Sequence, residues 1–297
     1  QWELAAVKWE AAVKENPDNP HALLWSALCW RMAKQEPRAT AAEQKYRTLA
    51  LGDSAMMVAA STIYQHLGFP QKAREWRRYA LHTGPRNAAW HVLLYQEAEE
   101  HLLHGRWQLA LAGYEAYSCL SLSDTNGGSL ANSLRIRKKA DIARGFSLLS
   151  SQPELGRPIL RDAHRALMAD ASLADQFFPA LRLAGARQEH DAWFEESWQQ
   201  LLHIRDRFPK DDNVRNSAAW LASRALKRLD DAEKEVKEAL RLRPNQAAYL
   251  DTLAEIHFAR RDRKQAVAWS QKALVADPTA TSLREQFYRF QQDPFPR

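Results

Sequence analysis

The chain has 297 residues, of which 45% are hydrophobic and 26% charged, a balance that excludes a mainly disordered protein. Only 10 glycines argue against sandwiches and barrels, which need many tight turns. A net charge of +6 permits a nucleic-acid partner without requiring one. No apolar run reaches the ~18 residues of a membrane span.

The periodicity is helical nearly throughout. Apolar residues recur three and four apart, as in Leu250, Leu253, Ala254, Ile256 and Phe258, and no run alternates as a strand would. Helix stops at Pro17, Gly52, Gly68, Pro85, Gly105, Pro209, Pro244 and Pro278 cut the chain into segments of about 12–20 residues. The count expected is about 13–15 helices and no sheet.

In chain order, one pattern returns: alanine, six residues, alanine, four residues, proline. It occurs as Ala5, Ala12 and Pro17, in degenerate form as Ala39, Tyr46 and Leu51, and again as Ala73, Ala80 and Pro85. Ala110, Tyr117 and Leu122 keep it after a slip of three residues. The span Ser121 to Ser129, with Gly127-Gly128, reads as a loop, followed by a helix from Leu130 to Leu149. Gln152 to Pro158 reads as another break, followed by a helix to about Asp170. The pattern resumes as Ser197, Ile204 and Pro209, then Ala232, Ala239 and Pro244, then Ala266, Ala273 and Pro278. Pro244 and Pro278 lie 34 residues apart, and Pro17 and Pro85 twice that. Ser282 to Gln292 reads as a capping helix with Leu283, Phe287 and Phe290 inward and Arg284, Glu285 and Gln291 outward.

Alanines seven apart share one helix face, where small side chains let another helix approach closely. The proline ends the unit because it has no amide hydrogen and disfavours helix just before it. Each copy is therefore the second helix of a two-helix unit, and Ala239 and Ala273 should be buried where helices meet. Trp2 to Glu15 matches a second helix whose first helix is absent, so the chain is expected to be a piece of something longer, with any upstream targeting signal missing.

In this register the sequence resembles the tetratricopeptide repeat family, best over Ala247 to Pro278, with Leu250, Leu253, Ala254, Asp262, Ala266, Gln271, Lys272, Ala273, Leu274, Asp277 and Pro278 at family positions. Ser54 to Pro85, with Tyr64, Gly68, Ala73 and Ala80, is a second good copy. The resemblance covers roughly 1–122 and 173–291. Arg261 replaces the usual turn glycine, and Ser223 and His257 stand where an aromatic is common. The resemblance implies an all-α, right-handed α-solenoid of helix pairs with an irregular central pair and a C-terminal capping helix. It divides as N-terminal repeats over 1–122, an irregular insert over 123–172, and repeats plus cap over 173–297, in one continuous solenoid.

Motifs for chemistry are absent. No phosphate-cradling loop, zinc helix, Cys-x-x-Cys pair or nucleophile elbow occurs, so no catalytic, cofactor or metal residue is assigned and no cofactor is expected. Glu97, His101 and His104 share one helix face, which reads as a polar surface more readily than as a metal site. The basic run Arg135 to Lys139, continued by Arg144, Arg157, Arg161 and Arg165, could grip phosphates, but no aromatics for base stacking interleave it and a solvated face is the plainer reading. Cys29 and Cys119 read as two buried free thiols, a disulfide being the other reading. Trp9, Trp76, Trp107 and Trp269 read as core on second helices, while Trp25, Trp30, Trp90 and Trp220 on first helices could anchor a partner.

The resemblance further implies that first helices line a concave groove for a peptide. By position, that groove presents Leu24, Leu28 and Arg31, then Val58, Thr62 and Gln65, then Gln96 and Glu99. Toward the C-terminus come Asn216 and Trp220, then Asp251, Glu255 and Phe258. These do not match the family's clamp for a C-terminal carboxylate, and the acidic last unit suggests a partner with a basic segment. Asp251 and Glu255 could instead be paired by Arg215 or another neighbouring cation. The function this favours is a non-enzymatic scaffold for a protein or peptide, as a member of a larger complex. Two alternatives stand beside it: an RNA-binding helical repeat, and the regulatory or assembly arm of a larger protein.

Overall fold

The computed structural model describes residues 1–17, 19–84, 88–123 and 130–296, and these contain 16 α-helices and no strand. The helices are α1 (Trp2–Glu15), α2 (His21–Met32), α3 (Glu36–Leu49), α4 (Ser54–His66), α5 (Pro70–Thr83), α6 (Ala88–Leu103), α7 (Trp107–Ser123) and α8 (Leu130–Leu149). They continue as α9 (Pro153–Leu167), α10 (Ala171–Leu183), α11 (Arg187–Arg207), α12 (Asp212–Ala225), α13 (Leu229–Leu242), α14 (Ala247–Ala259), α15 (Arg263–Ala276) and α16 (Thr281–Gln292). The number exceeds the 13–15 expected. Most of the loop expected after Ser121 lies at 124–129, outside the described residues, and α7 itself runs to Ser123.

Sequence neighbours pack as pairs: α2 with α3, α4 with α5, α8 with α9, α12 with α13, and α14 with α15. Six turns are built alike. In each, one residue adopts a left-handed conformation: Lys34, Gly68, Gly105, Gly185, Leu226 or Arg261. The next amide then bonds back five residues, from Gln35 to Trp30, Phe69 to Tyr64, Arg106 to His101, Ala186 to Leu181, Lys227 to Ala222 and Asp262 to His257. This cap satisfies carbonyls that a helix end would otherwise leave unpaired. Lys34 and Gly68 lie 34 residues apart and Leu226 and Arg261 lie 35 apart, so the spacing of Pro244 and Pro278 recurs in these turns, whereas the central turns are spaced more widely. The α8–α9 turn lacks it, and Gln152 bonds back to Leu148 instead.

The break expected through Pro158 is only partly present. The turn occupies Ser150–Gln152, and α9 begins at Pro153 and runs through Pro158. A proline inside a helix is costly. Here the segment is held by burial of Gly156, Leu160, Ala163 and His164 on the side facing its neighbours.

The chain divides into two compact units, Gln1–Leu94 and Tyr95–Arg297. In the first, Tyr46 and Trp76 meet edge to face at 5.4 Å, within a core shared with Leu24, Leu28, Met57 and Tyr64. In the second, Phe146, Phe177, Phe178, Trp193 and Phe194 form the aromatic centre. His164 is buried there and stacks 5.5 Å from Trp193, its Nε2 within 2.9 Å of the Ser197 hydroxyl. Burial holds its imidazole well below the ordinary value, at about 4.

Ala239 and Ala273 are fully buried, as the repeat pattern requires. In the capping helix α16, Leu283 and Phe290 are buried and Phe287 half-buried. Both cysteines are free, but only Cys29 is buried; Cys119 lies on an exposed face of α7. Trp76 and Trp30 are core, whereas Trp9 and Trp25 stack on each other at 6.3 Å and remain partly exposed.

Candidate functional site

The expected groove residues all stand on α2, α4, α6, α12 and α14, and burial sorts them. In the first unit Leu24 and Leu28 are core, and Val58, Thr62 and Gln65 are half-buried. Arg31 is engaged within that unit. Its guanidinium pairs with Glu36 and, at 2.8 Å, with the buried Glu43, which also accepts from Trp76 Nε1 at 2.9 Å.

In the second unit Gln96 is exposed. Glu99 accepts from Lys139 Nζ at 2.7 Å, from the Tyr114 hydroxyl at 2.5 Å and from Gln176. Burial pulls the Lys139 ammonium below its ordinary value against the attraction of Glu99. Lys139 is thus structural. Three other cations of the basic strip are also paired: Arg144 with Glu115, Arg157 with Glu189 and Arg161 with Glu196, while Arg135, Arg137 and Arg165 are exposed. On α6, His101 Nε2 lies 3.8 Å from Glu97, while His104 Nδ1 sits 2.8 Å from the Glu100 carbonyl. No cluster of three metal-type side chains forms among the described residues.

The densest polar constellation lies on α12 and α14, with contributions from α10 and α16. Trp220 Nε1 donates to Asp175 Oδ1 at 2.8 Å. Arg224, one turn along α12, donates to Glu255 Oε1 at 2.8 Å. Arg289 of α16 donates to the other Glu255 oxygen. Glu255 is 1% exposed. Burial alone would raise its carboxyl, but the charges of Arg289 and Arg224 and their hydrogen bonds hold it below the usual carboxylate range. Phe258 packs 5.1 Å from Phe290 and is buried.

Asp251, one turn before Glu255, is different. It is 7% exposed, and its Oδ1 is buried without a hydrogen-bond partner. Burial, reinforced by the Glu255 charge, pushes its carboxyl up to about 7. Half-buried Asn216 likewise has an unpartnered Oδ1. Arg215, the expected counter-ion, serves Glu235 at 2.7 Å instead.

Arg224, Arg289 and Asp175 escape a reading based on groove positions alone. Their signal is the period: Arg224 and Glu255 are 31 residues apart, Glu255 and Arg289 are 34. Opposite charges one repeat apart meet because equivalent faces of successive helices adjoin.

No family model matches the sequence, and no curated protein matches it. Among solved structures, the chain is similar to a tetratricopeptide repeat protein from Parabacteroides merdae, at 13% identity and a TM-score of 0.43, over 97% of this chain and 91% of that one. It is also similar to the tetratricopeptide domain of P58(IPK), at 13% identity and a TM-score of 0.25, over 96% and 91%. No helix among the described residues is long and apolar enough to cross a membrane.

Proposed function

We propose that the chain is a non-enzymatic scaffold that holds a segment of another protein against the first helices of its repeats, with the α12–α14 face of the second unit as the principal contact. The observation that carries this reading is the Asp251 carboxyl, buried with an oxygen that no donor reaches. An unpartnered buried acceptor is costly and calls for an explanation. A lysine or arginine side chain from a partner would supply the missing donors once the side chains covering that oxygen move aside, with Asn216 offering a second acceptor and Trp220 an aromatic edge. Glu255 keeps a structural part, fixing α12, α14 and α16 through its two arginines. Five cations of the basic strip, Lys138, Lys139, Arg144, Arg157 and Arg161, are paired with carboxylates, which favours protein over nucleic acid as the partner class.

The test uses fluorescent extended peptides carrying lysine or arginine, with glutamate-bearing peptides as controls. Anisotropy should show binding of the basic set, weakened at least tenfold by Asp251→Asn and reduced by salt. Asp251→Asn should melt at or above the parent temperature. Basic peptides that bind parent and variant equally, or a variant that melts lower, would assign Asp251 to the fold alone.

A further inference from the structure

A second feature of the same unit stands apart from the α12–α14 face. A cavity of about 650 Å³ opens among the end of α10, the first turn of α11 and the α12–α13 turn. That volume falls in the range of small-molecule sites. One part of its lining is apolar: Leu103, Pro179, Leu183 and Leu226, of which Leu103 and Leu183 are about half exposed. The other part is cationic: Arg182, Arg187 and Lys227.

Three cations and one carboxylate, Asp191, line the cavity, and Asp191 is paired with only one of the three, Lys227, so the wall carries a net positive charge. Lys227 Nζ lies 2.9 Å from Asp191, and His190 Nδ1 is also 2.9 Å away. His190 is buried, and its Nε2 has no hydrogen-bond partner. Arg182 donates to the Arg224 carbonyl at the end of α12, which fixes its guanidinium in the wall. Exposed Arg187 makes no ion pair among the described residues. It opens α11, whose first-turn amides have no side-chain cap and add partial positive charge at the same rim.

The turn that carries Lys227 shares the cap of its five counterparts and adds one feature. Leu226 takes the left-handed position, and Arg228 adds a second left-handed residue, so Lys227 sits between two positive-φ residues. A side chain at the left-handed place is strained, as at Lys34, Leu226 and Arg261, where Gly68, Gly105 and Gly185 hold it without cost; the second such residue, Arg228, is found at this turn alone of the six. Strain of this kind persists where the surroundings over-determine it and gathers at binding sites. Here it sets an apolar side chain and an ammonium side by side on the cavity wall.

We propose that this cavity binds a small amphipathic anion: a carboxylate or phosphate monoester held by Arg187 and Lys227, with its apolar body against Leu103, Leu183 and Leu226. Guanidinium and ammonium groups suit either head group, and the flanking leucines select against bare inorganic ions.

Calorimetric titration at low salt with octanoate, phenyl phosphate and inorganic phosphate tests it. The parent should bind octanoate or phenyl phosphate saturably and one to one, and inorganic phosphate at least tenfold more weakly; which of the two binds tighter assigns the head group. Arg187→Gln with Lys227→Gln should lose at least tenfold in affinity at unchanged helical content. Arg187→Gln alone, which breaks no ion pair, should show part of that loss and guards against misfolding of the double variant. Leu183→Ala should weaken octanoate or phenyl phosphate several-fold. Asp251→Asn should bind the probes as the parent does, which separates this site from the α12–α14 face. The proposal is overturned by absence of saturable binding to both amphipathic anions, by equal binding in the charge variants, by inorganic phosphate binding as tightly as phenyl phosphate, or by loss of binding in Asp251→Asn.

Discussion

Gly156 of α9 lies so close to Gly145 of α8 that a β-carbon built on Gly156 would come within 2.7 Å of the Gly145 carbonyl oxygen. It would also meet the Leu149 amide nitrogen at 2.9 Å. Both obstacles are backbone, which cannot rotate aside. Helix α8 and helix α9 therefore touch through two residues without side chains, in the one pair whose turn lacks the left-handed cap. Gly156→Ala is expected to destabilise the protein by about 1–3 kcal/mol, the usual cost of overpacking, despite alanine's better helix propensity. Chemical denaturation, followed by helical signal, measures it; an unchanged midpoint would mean the two helices separate at no cost.

A related effect is expected at Ala239 and Ala273, both fully buried on second helices. Either residue changed to leucine should cost about 1–3 kcal/mol. Melting curves of Ala239→Leu and Ala273→Leu that overlay the parent's would contradict the close approach of helices at these positions.

The Asp251 carboxyl gives the protein a pH dependence of unusual sign. Its folded value, about 7, lies above the unfolded value of 3.8. The folded state therefore holds the proton more tightly, and this contribution to stability is complete below the unfolded value and lost as pH rises through about 7. His164 acts oppositely over an overlapping window, since an imidazole held at about 4 loses stability as pH falls from its ordinary 6.5. The parent's profile is consequently flattened, and the difference between variants is the informative quantity. Asp251→Asn should gain stability relative to the parent as pH rises from 4 to 8, by a few kcal/mol at most, since a tenfold change in proton affinity is worth about 1.4 kcal/mol. Paired melts across that range check it; a difference that does not grow with pH would mean that Asp251 is ionised at no cost.

Arg261 holds the left-handed turn position between α14 and α15 at φ 65°. A side chain there costs about 1–2 kcal/mol, against which glycine loses more chain entropy on folding. Arg261→Gly should stabilise by roughly 0.5–1 kcal/mol, read as a higher melting temperature. A lower one would show that the Arg261 side chain holds something in place.

The pairing of helices is legible in the sequence because its determinants are local. Alanines on one face, prolines after second helices and turn glycines such as Gly68 each act within a few residues. What escapes is what depends on the neighbouring repeat. Nothing local marks Lys34 or Leu226 as left-handed, since neither residue type favours that conformation; the cap's hydrogen bond imposes it. Pro158 reads as a break because its cost is local, whereas the burial of Leu160 and His164 that outweighs it is not. The residues expected to line a groove fall on the first helices of successive pairs. Which of them are consumed by the fold, as Arg31 and Glu255 are, is decided by partners 5 to 34 residues away.

The ion pairs of the second unit have a narrow reach. Arg157 with Glu189, Arg205 with Glu235, Arg224 with Glu255, and Arg260 with Asp230 each bridge 30 to 32 residues. Each such bond ties a helix pair to its immediate neighbour and to nothing beyond. In its ion pairs, damage to this unit is therefore local: a pair that melts unmatches charges on the two flanking it and leaves these bonds between more distant pairs intact. The unit is stitched rather than welded, and its weakest stitch, not the sum of all of them, sets where it first comes apart.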